Sequence, residues 1–518
     1  MMHLCEKIKD QSKKCFEYKL YPDNKKGAGM GKMIGRSNVL PTGENILKPV
    51  SVPRRVQAPT EAITIGSYLG HIYYNTYTDF YFDDYRVGEL SPGQKVYVNF
   101  NNKVYIFPDR RAYNLRTGEL EEIHQSVTEV IHIEKRPDTC DFIARTVMGV
   151  NLAQVFQNAK SIQVTGSENG AFDGCFKIIE KSIDDGTICF GQADYDFDLV
   201  SETVTTVSTA VPMLEGACVC QNRIFGFDQN TVFACAVGDG DSWCEYGEDG
   251  AFSQYVKNAD RFCACESIGG ECVFFTENNA FKVYGDNALE FSLRVIPELG
   301  GISGYSLMAH TKSEDNIYFL NKGSIMRYSG VISERICTLE GRNIRGAILF
   351  AHYDRLYIYY RSDSPDRLCM LDIPSGVIYD LFVPDLSKVK AIFEYGDAVC
   401  VATDYQMIAI DTEFSDAFDD FYEDRWTASE AEFDEVYDAY NNFTPLKLYI
   451  RGGMKSVGRL EVYCMTGNSG EWQRIGEINR EADKIWGFSL PYRETDSFRL
   501  KLTGWGNYEV KNIYFVYS

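Results

Sequence analysis

The sequence contains no run of about 18 apolar residues, the minimum for a membrane-spanning helix. Near its start, Glu6, Lys7, Lys9 and Asp10 interrupt any apolar stretch before it reaches signal-peptide length. The expectation is a soluble chain made in the cytoplasm, with no membrane partner. Histidine is scarce, at six residues, and neither a pair of Cys-x-x-Cys hooks nor a His-x-x-x-His occurs, so a structural zinc site has little support. No Gly-x-Ser-x-Gly elbow is present, and spacing assigns no Ser-His-Asp or Cys-His set. Positive charge is also short: 52 Lys and Arg against 74 Asp and Glu give a formal −22. That balance argues against a general affinity for nucleic-acid phosphates or anionic lipid.

The 518 residues exceed one ordinary core and predict two to four domains, or one large repeat architecture with appendages. The 16 cysteines sit mostly inside strand-like apolar runs such as Ala217-Cys-Val-Cys220 and Phe262-Cys-Ala-Cys265. Cysteine there serves as a small buried hydrophobe, and free thiols in a reducing compartment are expected. The charge is uneven, because residues 1–55 hold 12 Lys and Arg against 5 Asp and Glu. Residues 1–64 therefore read as a basic leader, either a docking arm for an acidic neighbour or DNA, or a solvated and partly disordered segment.

The dominant pattern is a run of four or five apolar residues, a polar turn and a second such run, which is strand-turn-strand. Copies begin at Lys103, Asn222, Glu271, Asn316, Arg355 and Ala398, with an earlier, less regular one at His71. The markers Ile224, Val273, Ile317, Leu356 and Val399 are separated by 49, 44, 39 and 43 residues, the length that a four-stranded propeller blade consumes. One blade cannot bury both faces of its sheet, so blades pack in a ring. Seven candidate hairpins predict an all-β chain built on a six- or seven-bladed β-propeller, with its first blades in residues 65–126 and the rest in 212–411.

From Val104 to Ile224 the spacing is 120, too long for a blade. Residues 127–211 are read as an inserted small β-barrel-like domain, with three short strands over residues 161–191 and a short helix around Leu152–Gln157. Residues 412–444 carry 11 acidic residues and one basic residue, Arg425, and read as an exposed acidic connector. From Pro445 onward the alternation is clean, as in Leu446-Lys-Leu-Tyr-Ile450 and Phe498-Arg-Leu-Lys-Leu502. Six strands within residues 445–518, each with one wet face, predict a C-terminal β-sandwich.

Several strings carry a family resemblance. These are Val104-Tyr-Ile-Phe-Pro-Asp-Arg-Arg-Ala-Tyr-Asn114, Asn222-Arg-Ile-Phe-Gly226, Gly238-Asp-Gly-Asp-Ser-Trp243, Phe274-Phe-Thr-Glu-Asn-Asn-Ala-Phe-Lys-Val-Tyr-Gly-Asp286 and Leu490-Pro-Tyr-Arg-Glu-Thr-Asp-Ser-Phe-Arg-Leu-Lys-Leu-Thr-Gly504. In their order over about residues 65–518, the chain resembles a family of β-propeller virion proteins of phages and prophages of Gram-positive bacteria. The leader departs from that pattern. The architecture is also similar, at the level of fold, to the nozzle or hub proteins of short-tailed phage tails. The resemblance implies a structural tail or neck protein of a virion, forming a homo-oligomeric ring around the DNA channel. Its partners would be itself, other tail or neck proteins and, in passing, viral DNA; it implies no enzyme, catalytic residue, cofactor or metal.

Candidate carboxylates for a glycosidase are Asp83, Asp84, Asp194, Asp196, Asp198, Asp239, Asp241, Glu245, Glu248 and Asp249, but no spacing forces two of them into opposed geometry. The Asp239-x-Asp241 turn lacks the glycine and closing glutamate of a calcium loop, and Trp243 reads better as an apolar wedge between blades. His124 and His132, near Glu121, Glu122 and Glu134, read as loop and strand-edge residues before an acid-base site. Gly27-Ala-Gly-Met-Gly31 lacks the P-loop spacing. The alternative function is a receptor- or glycan-binding tail protein using Trp472, Trp486, Tyr492 and Trp505 as a stacking platform in the last domain; a propeller glycosidase is a distant third.

Overall fold

Asn101-Asn102 and Gln221-Asn222 both adopt positive φ at two successive residues, the conformation that closes two-residue hairpins with the twist of the flanking strands. Such turns organise a computed structural model that describes residues 14–18, 33–37, 39–41, 47–49, 54–56 and 62–518, apart from 137–140, 171, 192–199, 258–259, 298, 304–307, 314, 340, 342, 364–365, 375, 382–388, 405–406, 412–428, 438–441, 468–469, 481 and 492. The chain is nearly all β and consists of many small antiparallel sheets. It divides into two compact units, residues 61–349 and residues 1–60 with 350–518. No helix of the described residues is long and apolar enough to cross a membrane.

The first unit holds four-stranded sheets over residues 64–89, 96–122, 216–255, 262–295 and 310–338, each a simple meander. Their first strands, Thr64–Tyr68, Val96–Phe100, Gly216–Cys220, Phe262–Ile268 and His310–Ser313, lie beside one another in sequence order. The sheets face each other through shared apolar layers. Tyr73 and Phe80 meet Val104, Ile106 and Tyr113; Tyr105 and Phe107 meet Ile224 and Trp243; Phe225 and Phe227 meet Phe262 and Phe274. The expected wedge is present: Trp243 is buried, sets its ring edge-on to Phe107 at 6.2 Å and donates its indole N–H to Gly240 O at 2.8 Å.

Between the second and third of these sheets in sequence lies a closed six-stranded barrel. Its strands are Ser126–Lys135, Phe142–Thr146, Ser161–Thr165, Gly174–Ser182, Thr187–Phe190 and Val200–Ser208. Ile131, Ile133, Ile162, Phe172, Phe190 and Val207 fill it. A single helical turn, Leu152–Val155, is capped by Asn151, whose side chain accepts from Gln154 N.

In the second unit, the sheet over residues 345–380 is followed by one whose fourth strand comes from far away in sequence. Arg54–Val56 pairs with Met407–Asp411 beyond Ala391–Tyr395 and Ala398–Ala402. All six expected hairpin copies from Lys103 onward fall in consecutive strands of one sheet, and Ile224, Val273, Ile317, Leu356 and Val399 each sit in a second strand.

The C-terminal domain requires correction. The described residues of 445–518 form four strands where six were expected, and two of them, Pro445–Thr466 and Ser497–Tyr517, run for 22 and 21 residues. They bend across a register shift between Met454 and Gly458, so that Leu448 and Ile450 from one half and Leu460 and Val462 from the other reach the same core. A Cβ on Gly452 would lie 2.0 Å from Glu509 O, which explains glycine there. The sheet reaches ten strands by taking Lys14–Glu17, Met33–Ser37, Val39–Pro41 and Leu47–Pro49 from the leader, and Ser429–Phe433 and Val436–Tyr437 from the connector. These parts of residues 1–64 and 412–444 are therefore strands of the domain, neither a free arm nor an exposed linker. The glycine-rich Gly27–Gly31 stretch and the rest of the acidic run at 412–428 lie outside the described residues.

Candidate functional site

Alternation along Ser497–Tyr517 puts Phe498, Leu500 and Leu502 into the core, and Arg499, Lys501, Thr503 and Trp505 on the opposite face. Register then dictates their neighbours. Arg459, Glu461 and Tyr463 pair opposite Trp505, Thr503 and Lys501, while Glu430 and Glu432 of Ser429–Phe433 lie opposite Thr503 and Lys501 on the other side. Arg474 and Glu477 extend the row through Tyr463 and Glu461.

Ion pairs close most of this face. Arg459 reaches Glu461 at 2.7 Å and Glu477 at 2.8 Å, and Arg474 reaches Glu461 at 3.0 Å and also pairs with Glu477. Arg499 holds Glu432 at 2.5 Å, and Lys501 stands 3.8 Å from Glu430. A network shares the ordering cost of its side chains, although each exposed pair is worth under about 1 kcal/mol.

The structure separates the three tryptophan candidates. Trp472 and Trp505 share this outer face, but Lys501 and Arg499 sit over the Trp472 ring at 4.8 and 5.9 Å. Trp486 packs against the core, donates to Gly452 O at 3.2 Å and has Lys484 over its ring at 4.0 Å. Tyr492 lies outside the described residues. Trp505 is 41% exposed, and among the described residues no cation covers its ring and no acceptor takes its indole N–H. Beside it opens a cleft of about 520 Å³ lined by Ser429, Glu430, Arg459, Glu461, Thr503 and Gly504. The three described tryptophans thus do not present one shared open platform.

The carboxylates considered for hydrolysis are scattered among other partners. Asp83 binds His71 at 2.5 Å, and Asp84 accepts from the Tyr74 hydroxyl at 3.2 Å. Asp241 and Glu121 bracket Lys103 at 2.8 and 2.7 Å, and Asp239 takes Lys160 at 2.8 Å. Glu245 accepts from Ser253 Oγ at 2.5 Å. Backbone carbonyls of Glu248 and Gly250 accept from the buried Arg223 guanidinium, and desolvation lowers that group's pKa, with Asp249 partly offsetting it. Asp194, Asp196 and Asp198 lie outside the described residues. His132 stands between Glu202, at 3.1 Å, and Glu134, at 3.4 Å, on the barrel strand Ser126–Lys135; burial, helped by Arg110, lowers the pKa of His124. Among the described residues no group of three or more His, Cys, Asp or Glu side chains is placed to hold a metal ion.

No protein-family model matches the chain, and no curated protein matches it either. Solved structures similar to it include virginiamycin B lyase from Staphylococcus aureus, at 11% identity and a TM-score of 0.31, covering 69% of this chain and 96% of that one. AztD from Citrobacter koseri is similar at 9% identity and a TM-score of 0.28, covering 68% and 94%. An exported protein from Bacteroides fragilis follows at 12% and 0.27, covering 54% and 84%. No function passes from matches this distant.

Two buried clusters escaped sequence reasoning. Lys95 and Asp109 form an ion pair at 2.5 Å with side chains 0% and 6% exposed. Burial, with a smaller push from Cys218, raises the Glu266 carboxyl to about 7. Cys218 lies 3.4 Å from Cys272, sulfur to sulfur, and hydrogen bonds from Cys265 and Cys272 lower its pKa. The available signal was a charged residue beside an apolar strand, as in Cys263-Ala-Cys-Glu266, which alone does not tell a buried carboxylate from a solvated one.

Proposed function

We propose that the chain is a non-enzymatic structural component of a bacteriophage virion, a tail or neck protein that assembles as a symmetric ring around the DNA channel. In this reading the seven four-stranded sheets are the blades of one seven-bladed propeller, and the pairing of Arg54–Val56 with Met407–Asp411 is its closing strand. The barrel over residues 126–208 is an insertion between the second and third blades, and the ten-stranded sheet is the terminal module. The observation that carries the reading is the succession of five four-stranded sheets in residues 61–349, whose first strands lie side by side and whose facing layers are filled by large apolar residues. Such packing makes a stiff body, and stiffness suits a part of a tube. The net charge of −22 supports a wall that repels DNA and lets it slide. The resemblance of Val104–Asn114, Asn222–Gly226 and Leu490–Gly504 to the phage propeller family is in keeping with the same role.

A second reading, a receptor- or glycan-binding tail protein acting through the terminal module, is favoured by the open Trp505 ring and its polar cleft. The first reading is tested by peptide mass analysis of particles purified from a host that carries this gene. The chain is expected among the particle proteins at a fixed ratio to the capsid protein; its confinement to the host cytosol contradicts the proposal.

A further inference from the structure

Three of the five tryptophans lie in the described part of the terminal module, and cations over their rings distinguish them. A cation on an aromatic face occupies the surface that a flat ligand would use. Lys501 and Arg499 take the Trp472 face, and Lys484 takes that of Trp486. Arg459 is the cross-strand partner of Trp505 and would be expected to cover it in the same way. It does not stack on the ring; Glu461 and Glu477 hold its guanidinium at 2.7 and 2.8 Å instead. The ion-pair network thereby keeps one indole face free, with polar groups at its edge.

Those edge groups define what the face accepts. The Glu430 and Glu461 carboxylates accept hydrogen bonds, the Arg459 guanidinium donates and the Thr503 hydroxyl can do either, whereas the buried Ser429 hydroxyl is taken by Gly504 O and the Tyr508 hydroxyl. Arg459 and Arg474 hold Glu461, and Lys501 faces Glu430, so the charges around the cleft are paired and, among the described residues, no free cation awaits a sulfated, phosphorylated or carboxylated ligand. Its volume of about 520 Å³ falls within the roughly 300–1,000 Å³ of small-ligand clefts. A pyranose matches the set: its axial C–H face packs on the indole while its equatorial hydroxyls reach carboxylates and guanidinium.

We propose that Trp505, with Arg459, Glu430, Glu461 and Thr503, forms a binding site for a neutral pyranose unit of a glycan. The site rests on the second functional reading and sharpens it, since Trp505 carries the stacking and Trp472 and Trp486 do not. Purified full-length protein on an array of neutral and acidic glycans, followed by calorimetric titration with the best neutral ligand, tests it. Expected are binding to neutral glycans, a loss of at least tenfold in affinity for Trp505→Ala, and no change for Trp472→Ala. Retained affinity in Trp505→Ala overturns the site while leaving glycan binding elsewhere on the chain; silence across the array overturns both the site and the second reading. A changed oligomer mass in Trp505→Ala without glycan binding assigns the face to contact between copies and likewise overturns the site. Should Trp505→Ala fail to fold, Trp505→Phe carries the test: a partial loss of affinity supports the site, and unchanged affinity overturns it.

Discussion

Lys95 Nζ lies 2.5 Å from Asp109 Oδ2 with both side chains removed from solvent. The pair ties its surroundings together: Asp109 also accepts from Ser91 N at 2.5 Å, Lys95 Nζ donates to Ser91 Oγ at 2.9 Å, and Lys95 N donates to Thr64 Oγ1 at 3.0 Å. Thr64 belongs to the first sheet, while Lys95 and Asp109 both flank strands of the second, so the residue that carries the buried charge also ties the two sheets together through its backbone N–H. Removing one partner leaves the other charged in a dry site, a cost of about 3–5 kcal/mol. Asp109→Ala is expected to lower the melting temperature by about 10 °C. The double change Lys95→Met with Asp109→Leu is expected to recover most of that loss; circular dichroism melts of the three proteins decide it.

Glu266 gives stability a pH dependence of predictable sign. Its folded pKa of about 7 lies above the ordinary 4.5, so between those values the folded chain holds a proton that the unfolded chain releases. Its contribution is therefore full below about pH 4.5, falls as pH rises toward 7 and is flat beyond. Glu266→Gln removes the titration and is expected to flatten that part of the stability curve, measured by urea denaturation at pH 5, 6, 7 and 8. An unchanged slope in the variant contradicts the assignment.

Cysteine reactivity is expected to be selective. A hydrogen bond from Cys244 lowers Cys175 to about 7, and Cys175 is partly exposed, whereas burial pushes Cys337, also partly exposed, up to about 11. Thiolate, not thiol, is the nucleophile. Brief iodoacetamide treatment at pH 8 should alkylate Cys175 well ahead of Cys337, as read by peptide mass spectrometry; equal labelling contradicts the difference in their surroundings.

Much of the fold was legible because hairpins are local. A strand-turn-strand of about a dozen residues carries its own alternation and turn signals, and the copies at Asn222, Glu271, Asn316, Arg355 and Ala398 each became two adjacent strands. Pairings across hundreds of residues were not legible. Arg54–Val56 and Leu47–Pro49 are three-residue strands too short to show a period, and nothing near them names Met407–Asp411 or Val510 as partner. Ser429-Glu-Ala-Glu-Phe433 does alternate, yet the surrounding acidic run disguised it as linker. The long strand Pro445–Thr466 was divided because Gly452, Gly453 and Gly458 break the alternation where the strand bends.

The candidate site was legible only as a list of aromatic residues. Trp472, Trp486 and Trp505 look alike in sequence; what separates them is whether Lys501, Arg499 or Lys484 stands over the ring. That depends on strand register, and the bulges at Val462 and Met454 set the register.

Electron cryo-microscopy of the purified full-length chain, in the absence of other proteins, bears most directly on the scaffold reading. The proposal predicts closed rings of fixed symmetry in which each copy shows seven radial sheets around one axis. Separate single copies at micromolar concentration, or sheets that stack without closing, would contradict it.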